Sequence, residues 1–510
     1  MSRKEAGVDR GGLDRGVLLL IFLKFAIHLA CAPGYGFFRD ELYDIDCGLH
    51  LDWGDVDQPP LIAFLAWLSV KLFGLSLYGL RLFPALAGSA LVGVTALLAR
   101  DLGGGKFAQR CAAFAIIPVP VYLALQHLFT MNAFEPLLWT LAAWAALRMI
   151  QRHEPRYWLL IGLVCGIGME NKYTMFLPIA ALPPALIASS NARLMLNRWF
   201  PAGIAVGLLA FLPNLIWLYR HDFPFVEFYL NGQGNPSHLQ RSPLAYIADQ
   251  AMIMNPLLTP LWAGGLFWSL RRARFIGLLF LIICLPLLLT GGGKNYYITP
   301  AYPVLLAAGS VFFESWTAAG RTWLRAAYLG AVAAAGIVFA PFVLPILPID
   351  DFLAYQDALD GFRPVITERT KEGVMPQWFA DEIGWEDMAR ETAKVYFALP
   401  EEERARTAIF ANDYGEAAAI DVFGPKYGLP PAISNEVTYW LWGPRHYHGE
   451  TVIVLGSDGT GDREHFRQVE VAGRVRNPLS RPTEQFDIFL CRDMTVDLQA
   501  FWPSIKKWGR

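Results

Sequence analysis

Charged residues are scarce in this sequence of 510 residues, of which 17% are charged and 54% hydrophobic. The mean hydropathy of +0.33 is too high for an ordinary soluble protein and is typical of a chain that crosses a membrane many times. The sequence has no basic stripe interleaved with aromatic residues, and its formal net charge is -2, which argues against nucleic acid as a partner. It also lacks any CxxC pair, so its six cysteines predict neither a zinc site nor a disulfide framework.

Long apolar segments are abundant, and we expect each to form a helix that crosses the bilayer. The segments are residues 16–33, 79–99, 109–126, 131–149, 157–170, 174–190, 199–218, 257–270, 275–290, 299–316 and 323–346. The fold class is therefore membrane all-α and polytopic, with about 11 transmembrane helices. The first segment is similar to a signal peptide, but the many spans that follow it favour a retained helix.

Lysine and arginine residues concentrate in alternate loops, which places those loops in the cytoplasm. If the N-terminus is also cytoplasmic, the loops with unusual polar content share the outer face. These are residues 37–60, the turn near Thr130, and residues 171–173, 221–256 and 291–299. An odd number of spans also places the C-terminal region outside, so a single extracytoplasmic site is expected.

The composition changes near Pro348, where apolar runs shorten and charged residues, glycine and proline become more frequent. We therefore expect two domains. Residues 1–346 form a polytopic transmembrane domain with its first outer loop at about 34–78, and residues 347–510 form a small C-terminal soluble α/β domain outside the membrane. In the second domain, strands are predicted at 407–411, 451–456 and 486–491, and helices at 415–424 and near 378–397.

The stretch FFRDELYDIDCGLHLDWGDVDQPP, residues 37–60, contains seven carboxylates. If residues 39–50 form a helix at the membrane surface, Asp40 and Glu41 point in different directions, so one can act on a substrate while the other braces the loop. The alternative is a solvated loop in which Arg39 pairs locally. We expect four of the acids to be solvated without a special role: Asp44, Asp46, Asp52 and Asp55.

A second polar element closes the same loop. Asp57 and Gln58 precede two prolines, which force an extended entry into the next apolar helix. This rigid geometry places a polar pair at the membrane surface. The alternative is an ordinary helix start with Asp57 near the N-cap.

In combination, these motifs resemble the polytopic glycosyltransferases of family 39, which have the GT-C fold. They are relatives of the protein O-mannosyltransferases and of the lipid A aminoarabinose transferases. The resemblance rests on DELY after the first span, on HLDWGDVDQPP at the end of the loop, and on the apolar helix that follows. TMNAFEPLLW (130–139), ENKYT (170–174) and GKNYYITPAYP (293–303) are similar to further motifs of the family, so the match extends over about residues 16–346.

The resemblance implies an inverting transfer of a hexosyl or pentosyl group from a polyprenyl-phosphate carrier. The acceptor would be a hydroxyl of a lipid, glycan or protein at the outer face of the membrane. The resemblance assigns Asp40 as the base that activates this hydroxyl, with Glu41 beside it in the catalytic motif. Asp57 and Gln58 would bind the sugar or position the loop.

The phosphate of such a carrier requires cations on the same face. Lys294 is the main candidate because it follows three glycines and precedes Tyr296 and Tyr297 at the membrane boundary. The alternative is a lysine that snorkels at a helix end. Arg241, in SHLQRSP, resembles an element of the aminoarabinose branch, with a solvated loop arginine as the alternative. Lys172 lies at the outer end of a span, where donor binding and interfacial anchoring are equally consistent with its position.

The sequence departs from the family pattern at Asn132, where the family commonly has an aspartate. An amide hydrogen-bonds a sugar, but it cannot bind a proton or a divalent ion as an aspartate does. No cofactor is therefore firmly implied, and a divalent metal requirement is weakened. Glu135 lies one helical turn further on, where it either substitutes for the aspartate or caps the next span.

Two other classes of function remain open at this stage. A transporter or lipid-linked sugar flippase would use Asp40, Lys172 and Lys294 as binding or proton-relay groups, although such proteins hold these groups near the bilayer midplane. A non-catalytic subunit of a cell-envelope complex would keep an inactive site. Asn132, in place of the family aspartate, keeps this interpretation open. We expect a multi-pass protein of a bacterial inner membrane, with its N-terminus in the cytoplasm and its C-terminal domain in the periplasm.

Overall fold

The computed structural model describes residues 13–232, 242–289, 294–359 and 373–509. The chain separates into two compact units, each assembled from segments that are distant in sequence. The helical unit combines Met1–Ala32, Arg81–Pro213 and Leu239–Thr367, whereas the sheet unit combines Pro33–Leu80, Asn214–His238 and Glu368–Arg510. The acidic stretch at residues 37–60 therefore shares a unit with the C-terminal segment.

Most of the described chain is α-helical. Up to residue 359 the helices are α1 (Arg15–Cys31), α2 (Arg39–Leu49), α3 (Leu61–Phe73), α4 (Leu77–Asp101), α5 (Lys106–Ile116), α6 (Pro120–His127), α7 (Glu135–Arg152), α8 (Tyr157–Asn171), α9 (Phe176–Ala188), α10 (Trp199–Arg220), α11 (Pro224–Gly232), α12 (Pro243–Ile253), α13 (Thr259–Arg272), α14 (Arg274–Leu289), α15 (Tyr302–Thr317), α16 (Trp323–Val343) and α17 (Ile349–Ala358).

The C-terminal segment alternates short helices with strands. Its elements are α18 (Gln377–Ala380), α19 (Trp385–Ala398), α20 (Glu401–Arg404), β1 (Thr407–Ala411), α21 (Tyr414–Tyr427), β2 (Ile433–Ser434), α22 (Val437–Trp442), β3 (Thr451–Leu455), α23 (Asp462–His465), β4 (Phe466–Arg474), β5 (Asp487–Met494) and α24 (Leu498–Phe501). Short 3-10 helices occupy Met131–Ala133, Tyr173–Met175, Ala192–Met195, Pro256–Leu258, Asn295–Ala301, Pro482–Glu484 and Trp502–Ile505.

Several helices are long and apolar enough to cross a membrane. In the described part of the chain there are four such spans, namely α4, α10, α16 and Asn295–Thr317, in which a 3-10 helix leads into α15. The bent pair of α5 and α6 makes a fifth if the two helices count as one span. The predicted membrane all-α class is consistent with these helices, but the expected number of about 11 spans is not confirmed.

The span expected at residues 109–126 is broken in the structure. The helix α5 ends at Ile116, α6 begins at Pro120, and the two helices are bent relative to each other by 62°. Pro118 and Pro120 explain the break, because proline lacks the backbone N–H of a continuous helix and clashes with the preceding turn. The apolar character of the segment predicts its burial but not this bend.

Glycines allow two helices of the helical unit to come into backbone contact. Gly162 and Gly166 of α8 pack against Gly203 and Gly207 of α10. A Cβ atom on Gly166 would lie 2.6 Å from the Gly207 carbonyl oxygen, and a Cβ atom on Gly162 would overlap the Gly203 carbonyl oxygen. Small residues at this spacing commonly join helices in membranes, where association depends on close van der Waals packing.

We expect Gly162→Leu to lower the thermal unfolding temperature of the detergent-solubilised protein. The added side chain has no space and should cost about 1–3 kcal/mol or more. Gly330→Leu is the matched control, because Gly330 is also helical but a Cβ atom there has nothing within 4 Å. Equal unfolding temperatures in the two variants would contradict the inferred packing.

The sheet unit contains a five-stranded sheet in the order β2-β1-β3-β5-β4. The strand β1 pairs in parallel with β2 and β3, whereas β5 pairs antiparallel with β3 and β4. Burial on both faces explains why β1 and β3 are continuous apolar runs in the sequence. The predicted small C-terminal sheet is confirmed, although β2 and the largely exposed strand β4 were not anticipated.

The acidic helix α2 is packed on two sides within the sheet unit. It lies against α3, where a Cβ atom on Gly48 would be 2.8 Å from the Ala63 carbonyl oxygen. It also packs against α21, which begins at Tyr414. This packing fixes the direction of each acid on α2 and carries some of them out of solvent.

Candidate active site

Asp40 lies in the first turn of α2 and contacts a side chain of the C-terminal segment. The Tyr414 hydroxyl donates a hydrogen bond of 2.7 Å to Asp40 Oδ1, and Arg39 Nε lies 3.6 Å from the same oxygen. The Asp40 side chain nevertheless remains 40% exposed. Of the two carboxylates in the DELY motif, Asp40 is therefore the one that solvent reaches.

Glu41, by contrast, is completely buried. Its Oε2 atom accepts a hydrogen bond of 2.9 Å from the backbone N–H of Phe38, immediately before α2. A carboxylate three residues inside a helix often closes the first turn in this way. Glu41 thus stabilises the start of the helix that carries Asp40.

Asp57 belongs to a hydroxyl network. Its Oδ1 atom accepts a hydrogen bond of 2.9 Å from the Tyr43 hydroxyl, which also lies 2.7 Å from the Thr438 hydroxyl. The Thr438 hydroxyl in turn accepts a hydrogen bond of 3.1 Å from the backbone N–H of Val56. The network joins α2, the DQPP turn and α22 within the sheet unit.

Gln58 points into the interior of the sheet unit, with only 3% of its surface exposed. Its Nε2 atom donates a hydrogen bond of 2.8 Å to Asp44 Oδ1. Its backbone carbonyl accepts a hydrogen bond of 3.0 Å from the N–H of Asp55. The side chain therefore connects the DQPP turn to α2.

The expectation that most acids of this stretch are solvated is wrong for three of them. Asp44, Asp46 and Asp55 are 2%, 1% and 6% exposed, respectively. For Asp44 and Asp46 the reason is the packing of α2 against α3 and α21. Asp55 lies in the loop after α2, where it contacts Cys47 and Thr438. Asp46 Oδ2 accepts a hydrogen bond of 2.5 Å from the Tyr439 hydroxyl, which offsets part of the cost of its burial. Asp52 is exposed, as expected.

Burial makes several of these carboxylates hard to ionise. It raises the pKa of Asp55 to about 7, and the adjacent charge of Asp57 adds to the increase. Burial also raises the pKa of Asp57 to about 6, although the hydrogen bond from Tyr43 opposes the change. The pKa of buried Asp44 is raised well above its usual range. This part of the sheet unit therefore takes up protons at mildly acidic to neutral pH.

These pKa values predict how stability depends on pH. The unfolded pKa of an aspartate is about 3.9, so the folded protein binds more protons than the unfolded chain above that pH. The contribution of Asp55 and Asp57 to stability is full below about pH 4 and is lost as the pH rises through about 6 to 7. The slope for one such group is at most about 1.4 kcal/mol per pH unit.

We expect Asp55→Asn to flatten the dependence of the unfolding temperature on pH between about pH 5 and pH 8. An amide stays neutral throughout, as the protonated acid does at low pH. Glu450→Gln changes an exposed acid of the same unit and serves as the control. If Asp55→Asn and the wild type showed parallel pH profiles, the raised pKa of Asp55 would be ruled out.

In the helical unit, three distant segments converge on Lys172. Its ammonium donates hydrogen bonds to Asn132 Oδ1 at 2.6 Å and to Glu135 Oε2 at 2.9 Å. The Thr174 hydroxyl donates to the other oxygen of Glu135. The ammonium also lies 4.8 Å from the centroid of the Tyr297 ring, a cation–π distance. The segments TMNAFEP, NKYT and KNYY thus form one polar cluster.

Within this cluster, Glu135 both begins α7 and pairs with Lys172. Its side chain is 6% exposed and that of Lys172 is 13% exposed, so the ion pair is largely removed from solvent. A carboxylate in the first turn of a helix also interacts favourably with the free backbone N–H groups there. Asn132 supplies a neutral oxygen to the same ammonium.

The remaining candidates of the helical unit lie around the 3-10 helix Asn295–Ala301. The Lys294 ammonium is 5.9 Å from the centroid of the Tyr296 ring, and the rings of Tyr296 and Tyr297 pack edge to face with centroids 5.2 Å apart. Arg241 and the glycines at 291–293 lie outside the described residues.

Separating the Lys172–Glu135 pair should be costly. Breaking a buried ion pair by removing one partner typically costs about 3–5 kcal/mol, because the remaining charge is uncompensated. We expect Glu135→Gln and Lys172→Met each to lower the unfolding temperature, and the double variant to recover part of the loss. The measurement is a double-mutant cycle by thermal unfolding in one detergent. Strictly additive losses would show that the two side chains are not coupled.

A second group of ionisable side chains in the helical unit is not among the predicted site residues. Lys24 and His28 of α1 are buried, as are Arg81 of α4 and His127 of α6. Arg81 donates hydrogen bonds to the Ala32 carbonyl at 3.1 Å and to His127 Nε2 at 2.9 Å. Ionisable groups buried among apolar helices are often functional. The signal for them in the sequence is Lys24 and His28, one turn apart in an apolar run.

The structure thus sorts the predicted site residues into two groups. The sheet unit holds Asp40, Glu41, Asp57 and Gln58. The helical unit holds Asn132, Glu135, Lys172, Lys294, Tyr296 and Tyr297. Within the described ranges, no group of three or more His, Cys, Asp or Glu side chains is arranged to hold a metal ion.

The sequence is similar to known glycosyltransferases. Residues 57–217, roughly a third of the chain, match the family model for dolichyl-phosphate-mannose-protein mannosyltransferase. The lipopolysaccharide core galacturonosyltransferase RgtA of Rhizobium johnstonii is 28% identical over 217 residues, which are 40% of this chain and 41% of RgtA. The undecaprenyl phosphate-alpha-4-amino-4-deoxy-L-arabinose arabinosyl transferase 1 of Pseudomonas fluorescens is 27% identical over 296 residues, 53% of this chain and 52% of that protein. The chain spans about half the length of the curated relatives it matches.

A solved structure covers nearly the whole chain. ArnT from Cupriavidus metallidurans bound to undecaprenyl phosphate aligns with a TM-score of 0.61 and 13% identity, over 93% of this chain and 97% of ArnT. The apo form of the same protein gives a TM-score of 0.60. The fold is therefore the GT-C fold of ArnT. The predicted resemblance of the chain to the protein mannosyltransferases and to ArnT is confirmed.

Proposed function

We propose that this protein is an inverting glycosyltransferase that moves a sugar from a polyprenyl-phosphate carrier to an acceptor hydroxyl. The main support for the proposal is the position of Asp40 in the sequence and the exposure of its side chain. It lies in the DELY motif, shortly before the segment that matches the mannosyltransferase family. Its side chain is 40% exposed, whereas the other acids of α2 are buried. ArnT, which shares the fold, binds undecaprenyl phosphate.

Asp40 is the general base in this proposal. Its carboxylate accepts the proton of the acceptor hydroxyl while the hydroxyl oxygen attacks the anomeric carbon. The bond between that carbon and the phosphate oxygen breaks in the same step, and polyprenyl phosphate leaves with the electron pair. A single direct displacement inverts the configuration at the anomeric carbon. Glu41 supports this step by fixing the start of α2.

The leaving phosphate requires positively charged side chains. Lys294 is the first candidate for this role, and Arg241, which lies outside the described residues, is the second. Lys172 already pairs with Glu135. We therefore assign it to the donor site as the residue that holds Asn132 and Glu135 in position. Tyr296 and Tyr297 would contact the sugar or the carrier, as sugars pack on aromatic faces.

Asp57 and Gln58 have separate roles in the proposal. Asp57 remains partly exposed and would hydrogen-bond the sugar, whereas buried Gln58 positions the loop through Asp44. We also propose that the reaction takes place at the outer face of a bacterial inner membrane, with the N-terminus in the cytoplasm and the C-terminal segment in the periplasm. The acceptor is a lipid, glycan or protein hydroxyl.

The direct test supplies the purified protein with a panel of radiolabelled polyprenyl-phosphate sugars and candidate acceptors. We expect transfer by the wild type and a loss of about 10²- to 10⁴-fold in Asp40→Asn, because the base is removed while the shape is kept. Asp52→Asn, which changes an exposed acid of the same stretch, should retain full activity. Undiminished transfer in Asp40→Asn would remove Asp40 as the base.

The same protein, reconstituted in vesicles, separates the proposal from the transporter. A flippase would move the lipid-linked sugar between leaflets without changing the glycosidic bond. Flipping without transfer, across the whole donor and acceptor panel, would therefore overturn the proposed function.

A further inference from the structure

The C-terminal segment contributes a side chain directly to the carboxylate that the proposed reaction uses. Tyr414 is far from Asp40 in sequence, yet its hydroxyl donates a hydrogen bond of 2.7 Å to Asp40 Oδ1. Both residues belong to the sheet unit. Burial raises the pKa of Tyr414 well above its usual range, so the hydroxyl keeps its proton and acts as a donor.

The position of Tyr414 is fixed by its backbone. It is the first residue of α21, and its N–H donates a hydrogen bond of 2.9 Å to Glu436 Oε2. The other oxygen of Glu436 forms an ion pair of 2.5 Å with Lys507. Asp413 caps the helix by accepting a hydrogen bond of 2.7 Å from the N–H of Gly415. The phenol is thus presented from a well-anchored helix start.

Arg39 also packs against the ring of Tyr414. Its guanidinium carbon lies 4.8 Å from the centroid of the Tyr414 ring, and its Nη1 atom lies 3.6 Å from Asp413 Oδ2. Gly415 leaves room for the arginine, since a Cβ atom there would lie 2.7 Å from Arg39 Cδ and would overlap Cγ. The residue before Asp40 and the residue that binds Asp40 are therefore stacked on each other.

We propose that Tyr414 is a positioning residue for Asp40. Its hydroxyl holds one carboxylate oxygen of Asp40, so that the other oxygen is oriented to take the acceptor proton. The C-terminal segment then contributes to catalysis through Tyr414. This inference rests on the proposed role of Asp40 as the base.

The test compares Tyr414→Phe with the wild type in the transfer assay. Phenylalanine keeps the ring that packs on Arg39 and removes only the hydroxyl. We expect kcat to fall by roughly 10- to 100-fold through loss of orientation, while KM for the polyprenyl-phosphate sugar stays unchanged.

Other charges around Asp40 are the same in both proteins, so the difference reports on Tyr414. The charged or titratable side chains that interact with Asp40 are Arg39, Asp44, Asp57, Asp381 and Tyr414. Tyr427→Phe is the matched control. Tyr427 ends the same helix, and its hydroxyl donates a hydrogen bond of 2.8 Å to a carboxylate oxygen of Glu386. A Tyr414→Phe variant with the same kcat as Tyr427→Phe would overturn the proposal.

A second measurement does not depend on activity. Thermal unfolding of the wild type, Tyr414→Phe, Asp40→Asn and the double variant forms a double-mutant cycle. Non-additive shifts in unfolding temperature support a direct Tyr414–Asp40 link, and additive shifts contradict it. If the wild type transfers no sugar, the proposed function fails, while this cycle still decides whether Tyr414 holds Asp40.

Discussion

The removal of carboxylates from water is the constraint on which the sheet unit depends. Asp44, Asp46 and Asp55 lie in a short acidic stretch and are buried together. An unpaired buried charge is too costly to tolerate, so each carboxylate must be protonated or receive donors. Gln58 bonds to Asp44, Tyr439 bonds to Asp46, and Asp55 is partly protonated near neutral pH because burial raises its pKa to about 7. These hydrogen bonds join α2 to the DQPP turn and to α22.

Donors for the acidic helix come largely from the C-terminal segment, which explains why the two share one unit. The hydroxyls of Tyr414 and Tyr439 each bond to an acid of α2, and the Thr438 hydroxyl bonds to Tyr43. Asp40 differs from its neighbours because one side of its carboxylate is held while much of the side chain stays exposed. A carboxylate that is both oriented and accessible has the properties of a general base. The buried acids of α2, in this account, support that single group.

The sequence predicts much of this molecule, but not the parts that depend on contacts between distant segments. The apolar runs of β1 and β3 identify strands, and the motifs around Asn132, Lys172 and Tyr297 identify side chains that the structure brings together. The burial of Asp44 and Asp46 was missed because an acidic, outward-facing loop normally stays solvated, and only its packing against α21 changes that. Tyr414 has no local pattern that distinguishes it, since its role arises from a contact with a residue far away in sequence. The bend between α5 and α6 depends on two prolines. The segment was predicted as one span from its mean hydropathy, which does not show where a proline breaks a helix.

The central claim is that Asp40 acts in the chemical step and not in holding the donor. The most direct test measures the equilibrium affinity for a polyprenyl-phosphate sugar and the rate of a single turnover, side by side, in the wild type and in Asp40→Asn. The account predicts an unchanged Kd together with a strongly reduced single-turnover rate. A loss of donor affinity that accounts for the whole loss of turnover would contradict it, because Asp40 would then be a binding group.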